Sequence, residues 1–179
     1  KGLEGAVVAI GNFDGVHRGH QTLLARAAEE AARLRTAWGV VSFEPHPRSF
    51  FRPDEPVFRL TPEALKARLV AALGASFMAV LPFDRALSEL TAEDFVRQHL
   101  VERLGAAHVV MGYDFHFGRG RKGSPALSQP WPLRLPAIPS ETSTTLVKPA
   151  RASCTVQAVV DNINVTSDAW DLASATDAN

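Results

Sequence analysis

Cysteine is almost absent from this sequence, since Cys154 is the only one among 179 residues. A single thiol excludes an internal disulfide framework and leaves too few soft ligands for a structural zinc site. This usage is typical of a reducing compartment, so we expect a cytoplasmic protein in which Cys154 is chemically inert.

Net charge and long apolar runs are absent as well. The 19 basic and 19 acidic residues balance, which gives no reason to expect a nucleic-acid partner or an acidic membrane surface. No apolar run approaches the roughly 20 residues of a membrane-spanning helix, and the first residues lack the basic-then-apolar pattern of a signal peptide. We therefore expect small-molecule substrates, no nucleic acid and no membrane, and nothing in the sequence indicates an oligomeric state.

The chain has instead a regular alternation of strand and helix patterns. Residues 6–10 form a fully apolar run typical of a strand buried on both faces of a parallel sheet, and residues 20–35 repeat apolar side chains at helical spacing. Further strands are predicted at residues 39–43, 76–81 and 108–112. This order predicts an α/β protein with a Rossmann-like parallel sheet, helices on both faces and ligands bound beyond the carboxyl ends of the strands.

Two further helices have recognisable starts. Thr61 followed by Pro62 predicts one, with the threonine hydroxyl accepting an early backbone N–H. Thr91 and Asp94 have the spacing of a capping box and predict the other. The apolar stripe expected on the first of these helices consists of Leu65, Leu69, Val70 and Leu73.

A block rich in glycine and histidine follows the first strand directly: Gly11-Asn-Phe-Asp-Gly-Val-His-Arg-Gly-His20. His17 and His20 lie three positions apart where a strand gives way to a helix, so both rings can point the same way. A helix N-terminus attracts phosphate, and imidazoles beside it can donate hydrogen bonds to a triphosphate and stabilise a leaving pyrophosphate. Two other interpretations remain: a partial metal site, for which no third ligand stands at suitable spacing, and two unrelated surface histidines.

Four motifs in order give the chain a family resemblance. The block from Gly11 to His20 is similar to the signature of the bacterial FAD synthetases, members of the H-x-G-H nucleotidyltransferase superfamily. Phe43-Glu-Pro-His-Pro47 resembles the second motif of that family, and the segment 83–95, with its Leu-Ser pair, resembles the third. The segment 112–123, which begins Gly-Tyr-Asp-Phe-His-Phe-Gly, resembles the fourth. Residues 6–123 are thereby similar to the FMN adenylyltransferase domain of that family.

The resemblance implies transfer of AMP from ATP to FMN, giving FAD and pyrophosphate with Mg²⁺. The implied catalytic residues are His17, His20 and Asp14, with Asp14 ordering the loop or the magnesium. The implied nucleotide-binding residues are Gly11, Phe13, Gly15, Gly19, Asp114 and Arg121. The implied flavin-binding residues are His46, Pro47, Phe115, Phe117 and Gly118. No metal ligands are assigned within the protein.

Several of these residues have a second interpretation from local pattern. Asp14 is equally suited to capping its own loop. Phe115 and Phe117 alternate as core-facing side chains of a strand do, so packing rivals flavin stacking. The cationic stretch around Arg121 also fits a solvated surface, although its glycines and its place at the ligand edge of the sheet favour phosphate.

The character of the chain changes after Gly123. Residues 124–179 contain 6 of the 12 prolines and 13 serines or threonines but only 8 charged residues, and only residues 155–160 resemble a strand. The family implies a Ser-Ser-Thr-x-Ile-Arg segment and a β-barrel riboflavin kinase domain here. The first has only a loose echo at residues 143–148, and the second has no counterpart.

We therefore expect an FMN adenylyltransferase domain at residues 1–123 and a divergent tail at residues 124–179, disordered or produced by a reading-frame change or a fusion. Translation of the coding DNA in the other two frames tests the frame change. Two alternative functions follow: a non-catalytic flavin- or nucleotide-binding remnant, and an H-x-G-H nucleotidyltransferase with another phosphorylated acceptor.

Overall fold

The computed structural model describes residues 3–55 and 57–125, and the backbone of one further strand at residues 155–159. Its strands are β1 (Val7–Ile10), β2 (Trp38–Glu44), β3 (Phe77–Pro82), β4 (His108–Gly112) and β5 (Thr155–Val159). Its helices are α1 (Arg18–Leu34), α2 (Pro47–Phe51), α3 (Glu63–Ala72), α4 (Arg85–Glu89) and α5 (Ala92–Phe95), which continues as a π-helix, Val96–Arg103.

The strands form one parallel sheet in the order β3-β2-β1-β4-β5. β1 lies at its centre and is buried along its whole length, as its apolar run predicts. The chain passes from β1 to β2 on one side and later places β4 on the other side of β1. A switch point of this kind opens a crevice beyond the carboxyl ends of the strands.

Helices cover both faces of the sheet. α1 and α3 pack on the face that carries Val7 and Ala9 of β1. α4, α5 and the π-helix pack on the opposite face, which carries Val8 and Ile10. Alternate residues of one strand thus enter two separate cores, which explains why β1 is apolar throughout. The predicted Rossmann-like α/β architecture is confirmed.

The start of α3 differs from the prediction. Thr61 does not cap this helix, and its hydroxyl instead accepts the N–H of Gly15 at 2.9 Å. The predicted apolar stripe is also wrong in part, because Leu65 and Leu73 are 41% and 42% exposed whereas Lys66 is buried. The physical reason is that α3 packs partly against the polar loop that follows β1, so its inner face is not purely apolar.

The start of α5 agrees with the prediction. The Thr91 hydroxyl accepts the N–H of Asp94 at 3.1 Å and donates to the Asp94 carboxylate at 2.9 Å. Satisfying an early N–H in this way fixes the point at which a helix begins.

β5 confirms the strand predicted at residues 155–160 and lies at the edge of the sheet, parallel to β4. The rest of the tail after residue 125, including Cys154 and residues 143–148, lies outside the described residues. Within the described part of the chain, no helix has the length and apolar character needed to cross a membrane.

Candidate active site

A tight turn follows β1, and the buried side chain of Phe13 supports it. Gly11 donates its N–H to the carbonyl of Val41 at 3.1 Å. Phe13 follows with φ 50° and ψ 33°, a left-handed conformation uncommon for residues other than glycine, and its side chain is fully buried. Such conformations cluster at functional loops. Because the whole residue is 0% exposed, Phe13 supports the turn from within the core.

Asp14 fastens this turn to the segment that precedes α3. Its carboxylate accepts hydrogen bonds from the N–H of Leu60 at 3.0 Å, the N–H of Thr61 at 2.8 Å and the Thr61 hydroxyl at 2.9 Å. Thr61 also accepts the N–H of Gly15 at 2.9 Å. Because these donors already occupy the carboxylate, the geometry favours the loop-capping interpretation of Asp14.

The same contacts set the charge of Asp14. Burial by itself raises the pKa of this carboxyl, but hydrogen bonds from Thr61 and Leu60 and the charge of Lys66 outweigh it and hold the pKa below its ordinary value. The group is therefore ionised at neutral pH, as its role as an acceptor requires.

His17 and His20 lie side by side at the N-terminus of α1. Their rings stack with centroids 3.6 Å apart, and the ring of Phe13 packs edge-on to His20 at 5.2 Å. His17 Nδ1 caps α1 by accepting the N–H of His20 at 3.3 Å. Nε2 is then the His17 atom that carries the proton of the neutral ring and can donate to a ligand. Gly19 lies against this ring, where a Cβ would approach it to 3.3 Å.

The charge of His20 depends on its surroundings. Burial and the neighbouring His17 lower the pKa of His20 to about 4, although Asp14 opposes the shift. Its ring is therefore neutral at pH 7, and its Nδ1 is buried with no hydrogen-bond partner among the described residues. An anionic group bound beside His20 would raise this pKa. Two such rings at a helix N-terminus suit a phosphate chain.

A pocket of about 1130 Å³ opens next to this loop, on the α4 and α5 side of the sheet. Its wall is largely aromatic, with Phe43, Phe50, Phe51, Phe83, Phe95, Phe115 and Phe117. Its lining also includes the cations Arg48, Arg52, Arg85, Arg119 and Arg121. Aromatic surface beside guanidinium groups suits a flat conjugated ligand that carries a phosphate.

Five of these rings, Phe43, Phe50, Phe51, Phe83 and Phe95, are not among the site residues that the sequence predicts. Phe50, Phe51 and Phe83 pack edge-to-face with centroids 5.2, 5.5 and 5.8 Å apart. Phe51 is nonetheless 65% exposed. The available signal was the Phe50-Phe51 pair, which begins three residues after the second motif. This signal is weak because phenylalanine is more often a core residue.

The predicted flavin residues line this pocket. Pro47 is the first residue of α2, and His46 Nδ1 caps that helix by accepting the N–H of Arg48 at 3.1 Å. Burial lowers the pKa of His46, so its ring is neutral at pH 7. Phe117 belongs to the core, whereas Phe115 is only half-buried and presents ring surface to the pocket.

Asp114 and Arg121, which the resemblance assigns to the nucleotide, also line the pocket, whereas His17 and His20 lie outside its lining. The two parts of the site meet at Asn12. This residue lines the pocket and belongs to the histidine loop, and its Oδ1 is buried without a partner in residues 3–55 and 57–125. Asn12 thus connects the histidine loop to the aromatic pocket.

Gly118 has a structural reason to be glycine. It adopts φ 71° and ψ 170°, and a Cβ there would lie 2.6 Å from the backbone nitrogen of Ala92. We expect Gly118→Ala to lower the free energy of unfolding by about 3 kcal/mol, because strain and overpacking add. Gly120→Ala is the matched control, since Gly120 also has a positive φ of 66° but more open surroundings. We expect it to cost about 1 kcal/mol, and equal losses in chemical denaturation would contradict the packing argument.

The parallel sheet with its switch point, and the H-x-G-H loop at the N-terminus of α1, define an α/β protein of the nucleotidyltransferase fold class. A sequence model described as FAD synthetase matches residues 1–135. The chain belongs to the FAD synthetase family.

The relatives agree with this assignment. The chain is 46% identical over 119 residues to the bifunctional riboflavin kinase/FMN adenylyltransferase of Pseudomonas fluorescens, covering 66% of this chain and 38% of that protein. It is 41% identical over 126 residues to the protein of the same description from Escherichia coli K12, covering 70% and 40%. Identity to the FAD synthetase of Listeria monocytogenes is 39% over 125 residues, covering 68% and 49%. The chain thus spans half or less of the length of these relatives.

The fold is also similar to that of a solved structure. The crystal structure described as a macrolide-efflux protein from Streptococcus pneumoniae superposes with a TM-score of 0.60 and 26% sequence identity, covering 69% of this chain and 40% of that one.

Proposed function

We propose that this chain transfers the adenylyl group of ATP to FMN, forming FAD and pyrophosphate. The observation that carries the proposal is the junction at Asn12, where the histidine loop meets an aromatic pocket lined with arginines. An adenylyltransferase acting on a flavin needs these two parts side by side. The relatives from Pseudomonas fluorescens and Escherichia coli, both named as FMN adenylyltransferases, support the choice of substrates.

The aromatic pocket favours a flavin over another phosphorylated acceptor. Its phenylalanine wall offers faces and edges for a three-ring system. Among the lining cations, Arg48 and Arg52 form ion pairs with Glu55, and Arg85 forms one with Glu89. Arg121 has no such partner within residues 3–55 and 57–125. We assign the FMN phosphate to the Arg121 side of the pocket, and assign the isoalloxazine ring to the wall that includes Phe51 and Phe115.

The reaction follows from positioning and electrostatics. An oxygen of the FMN phosphate attacks the α-phosphorus of ATP, and the bond from that phosphorus to the bridging oxygen of pyrophosphate breaks. His17 and His20 donate hydrogen bonds to the phosphate chain and stabilise the charge that develops on the leaving pyrophosphate. The N-terminus of α1 and the backbone at Gly15 and Gly19 complete this cradle. Asp14 holds the loop in place.

Mg²⁺ is expected to arrive as part of the substrate MgATP. Among the described residues, no group of three or more His, Cys, Asp or Glu side chains is placed to hold a metal ion. Mg²⁺ in nucleotide sites is bound largely through substrate phosphates and water, so the absence of such a group is compatible with this reaction. We expect the reaction to take place in the cytoplasm, in line with the single cysteine.

The proposal is tested by incubating the full chain with MgATP and FMN and separating the products by chromatography. FAD and pyrophosphate are expected in equal amounts, and riboflavin in place of FMN should give no FAD because it lacks the attacking phosphate. A flavin-fluorescence titration run in parallel separates binding from turnover. FMN binding without FAD formation would make the chain a flavin-binding protein rather than an enzyme.

Phe51 provides a test of the pocket. We expect Phe51→Ala to raise the KM for FMN about tenfold, because one stacking face is lost, with little change in the KM for ATP. The melting temperature should hardly change, since Phe51 is 65% exposed. Phe58→Ala is the matched control, because Phe58 is 83% exposed and outside the pocket lining. Equal KM values for FMN in the two variants would rule out the assigned flavin wall.

A further inference from the structure

One buried cation next to the histidine loop has no role in the reaction as described so far. Lys66 of α3 is 7% exposed. No carboxylate within residues 3–55 and 57–125 forms an ion pair with it. A buried ammonium that forms no direct ion pair costs several kcal/mol of desolvation, which the more distant carboxylates of Glu44 and Asp14 offset only in part, so retention of a lysine here calls for an explanation.

The contacts of Lys66 lead to the loop. Its Nζ donates to the Ser42 hydroxyl at 3.0 Å, and that hydroxyl donates to the carbonyl of Asn12 at 3.2 Å. Ser42 is itself buried near the carboxyl end of β2. Lys66 therefore lies between the histidine loop and β2. The Ser42 hydroxyl links its ammonium to the backbone of the loop.

The charge of Lys66 acts on the groups around it. It helps to lower the pKa of His20 and of His46, after the larger effect of burial. Burial lowers the pKa of Lys66 itself, while Glu44 and Asp14 raise it and Arg59 lowers it. A bound polyphosphate would add negative charge to this region and further favour the charged form of Lys66.

We propose that Lys66 is a positioning residue of the nucleotide site: its buried ammonium fixes the Asn12 turn through Ser42 and supplies the positive charge against which a polyphosphate binds. This assignment rests on the proposed ATP site in the histidine loop. It explains why a buried ammonium with no direct ion pair is kept in a place where an apolar side chain would be at least as stable.

The test compares Lys66→Met with Arg68→Met in the full chain. Arg68 is two residues further along α3 and exposed, so its replacement removes the same unit charge but leaves the contacts among Lys66, Ser42 and Asn12 unchanged. We expect Lys66→Met to weaken MgATP and inorganic triphosphate binding about tenfold in calorimetry, and Arg68→Met to stay within about twofold. The melting temperature of Lys66→Met should be equal to or above that of the parent, because methionine removes the buried charge.

A merely structural lysine would give the opposite pattern, with a lower melting temperature and unchanged affinity. Ser42→Ala keeps the charge but cuts its link to Asn12, and we expect about a tenfold lower kcat with triphosphate affinity nearly unchanged. Triphosphate affinity in Lys66→Met equal to that in Arg68→Met would overturn the proposal. If Lys66→Met does not fold, a normal kcat in Ser42→Ala overturns it instead.

The outcomes also separate this proposal from the proposed function. A parent chain that binds triphosphate through Lys66 but makes no FAD would refute only the flavin reaction. A chain that makes FAD with Lys66→Met as active as Arg68→Met would refute only the role of the lysine. A parent chain that neither binds triphosphate nor makes FAD would refute both.

Discussion

Replacing His17 or His20 by alanine is expected to lower kcat for FAD formation by roughly 10²- to 10³-fold, with the fold intact. In the proposed reaction, each imidazole donates a hydrogen bond to phosphate oxygens whose charge increases as pyrophosphate leaves. The rings are stacked 3.6 Å apart, so both address the same part of a bound nucleotide. The double variant should therefore lose less than the product of the two single losses. Steady-state kinetics measures the loss of kcat in the single and double variants, and circular dichroism checks that the fold is intact.

His17 needs a control, because it also caps α1. Alanine removes the Nδ1 acceptor of the His20 N–H and should cost about 1 kcal/mol of stability. His17→Asn restores a side-chain cap but no imidazole, so it should recover the melting temperature and leave kcat low. Near-normal turnover in both His17→Asn and His20→Ala would mean that the histidines serve the fold and not the transfer.

Much of the fold follows from local periodicity. β1 is apolar at every position because both of its faces are covered, and α1 shows a clear apolar stripe because one side of it packs on the sheet. α3 is the informative exception. Leu65 is exposed and Lys66 is buried, since the inner face of that helix meets a polar loop. Helical spacing alone does not reveal what a face packs against.

The candidate site was predictable where its residues are adjacent in sequence. The spacing of His17 and His20 placed them together at a helix start, and the structure has them there. The aromatic pocket draws on segments that are distant in sequence, so the sequence did not predict that Phe51 and Phe83 lie together in one site. Thr61 next to a proline predicts a local cap, whereas its actual contact is with Asp14, 47 residues earlier. Only the tertiary fold brings such groups together.

Asp14 gives the second large expected effect. We expect Asp14→Ala to lower the free energy of unfolding by about 2–4 kcal/mol and to lower turnover with it, whereas Asp14→Asn should keep most of both. The reason is that one oxygen, Oδ1, accepts the N–H of Leu60, the N–H of Thr61 and the Thr61 hydroxyl, with Oδ2 sharing only the Leu60 N–H, so an amide oxygen can take the place of Oδ1. Alanine leaves these donors unpaired. Chemical denaturation measures the loss of stability, and steady-state kinetics measures the loss of turnover. Asp54→Ala is the control, because Asp54 is exposed.

The pH dependence gives an independent test of the loop anchor. Hydrogen bonds hold the folded-state pKa of Asp14 below its unfolded value, so the stability they add is present above about pH 4 and is lost as the pH falls through the lowered pKa. The difference in unfolding free energy between the parent and Asp14→Ala should therefore be constant near neutrality and shrink in acid. If Asp14→Asn were as stable as the parent but as inactive as Asp14→Ala, the carboxylate would act in the reaction itself and the anchor assignment would be wrong.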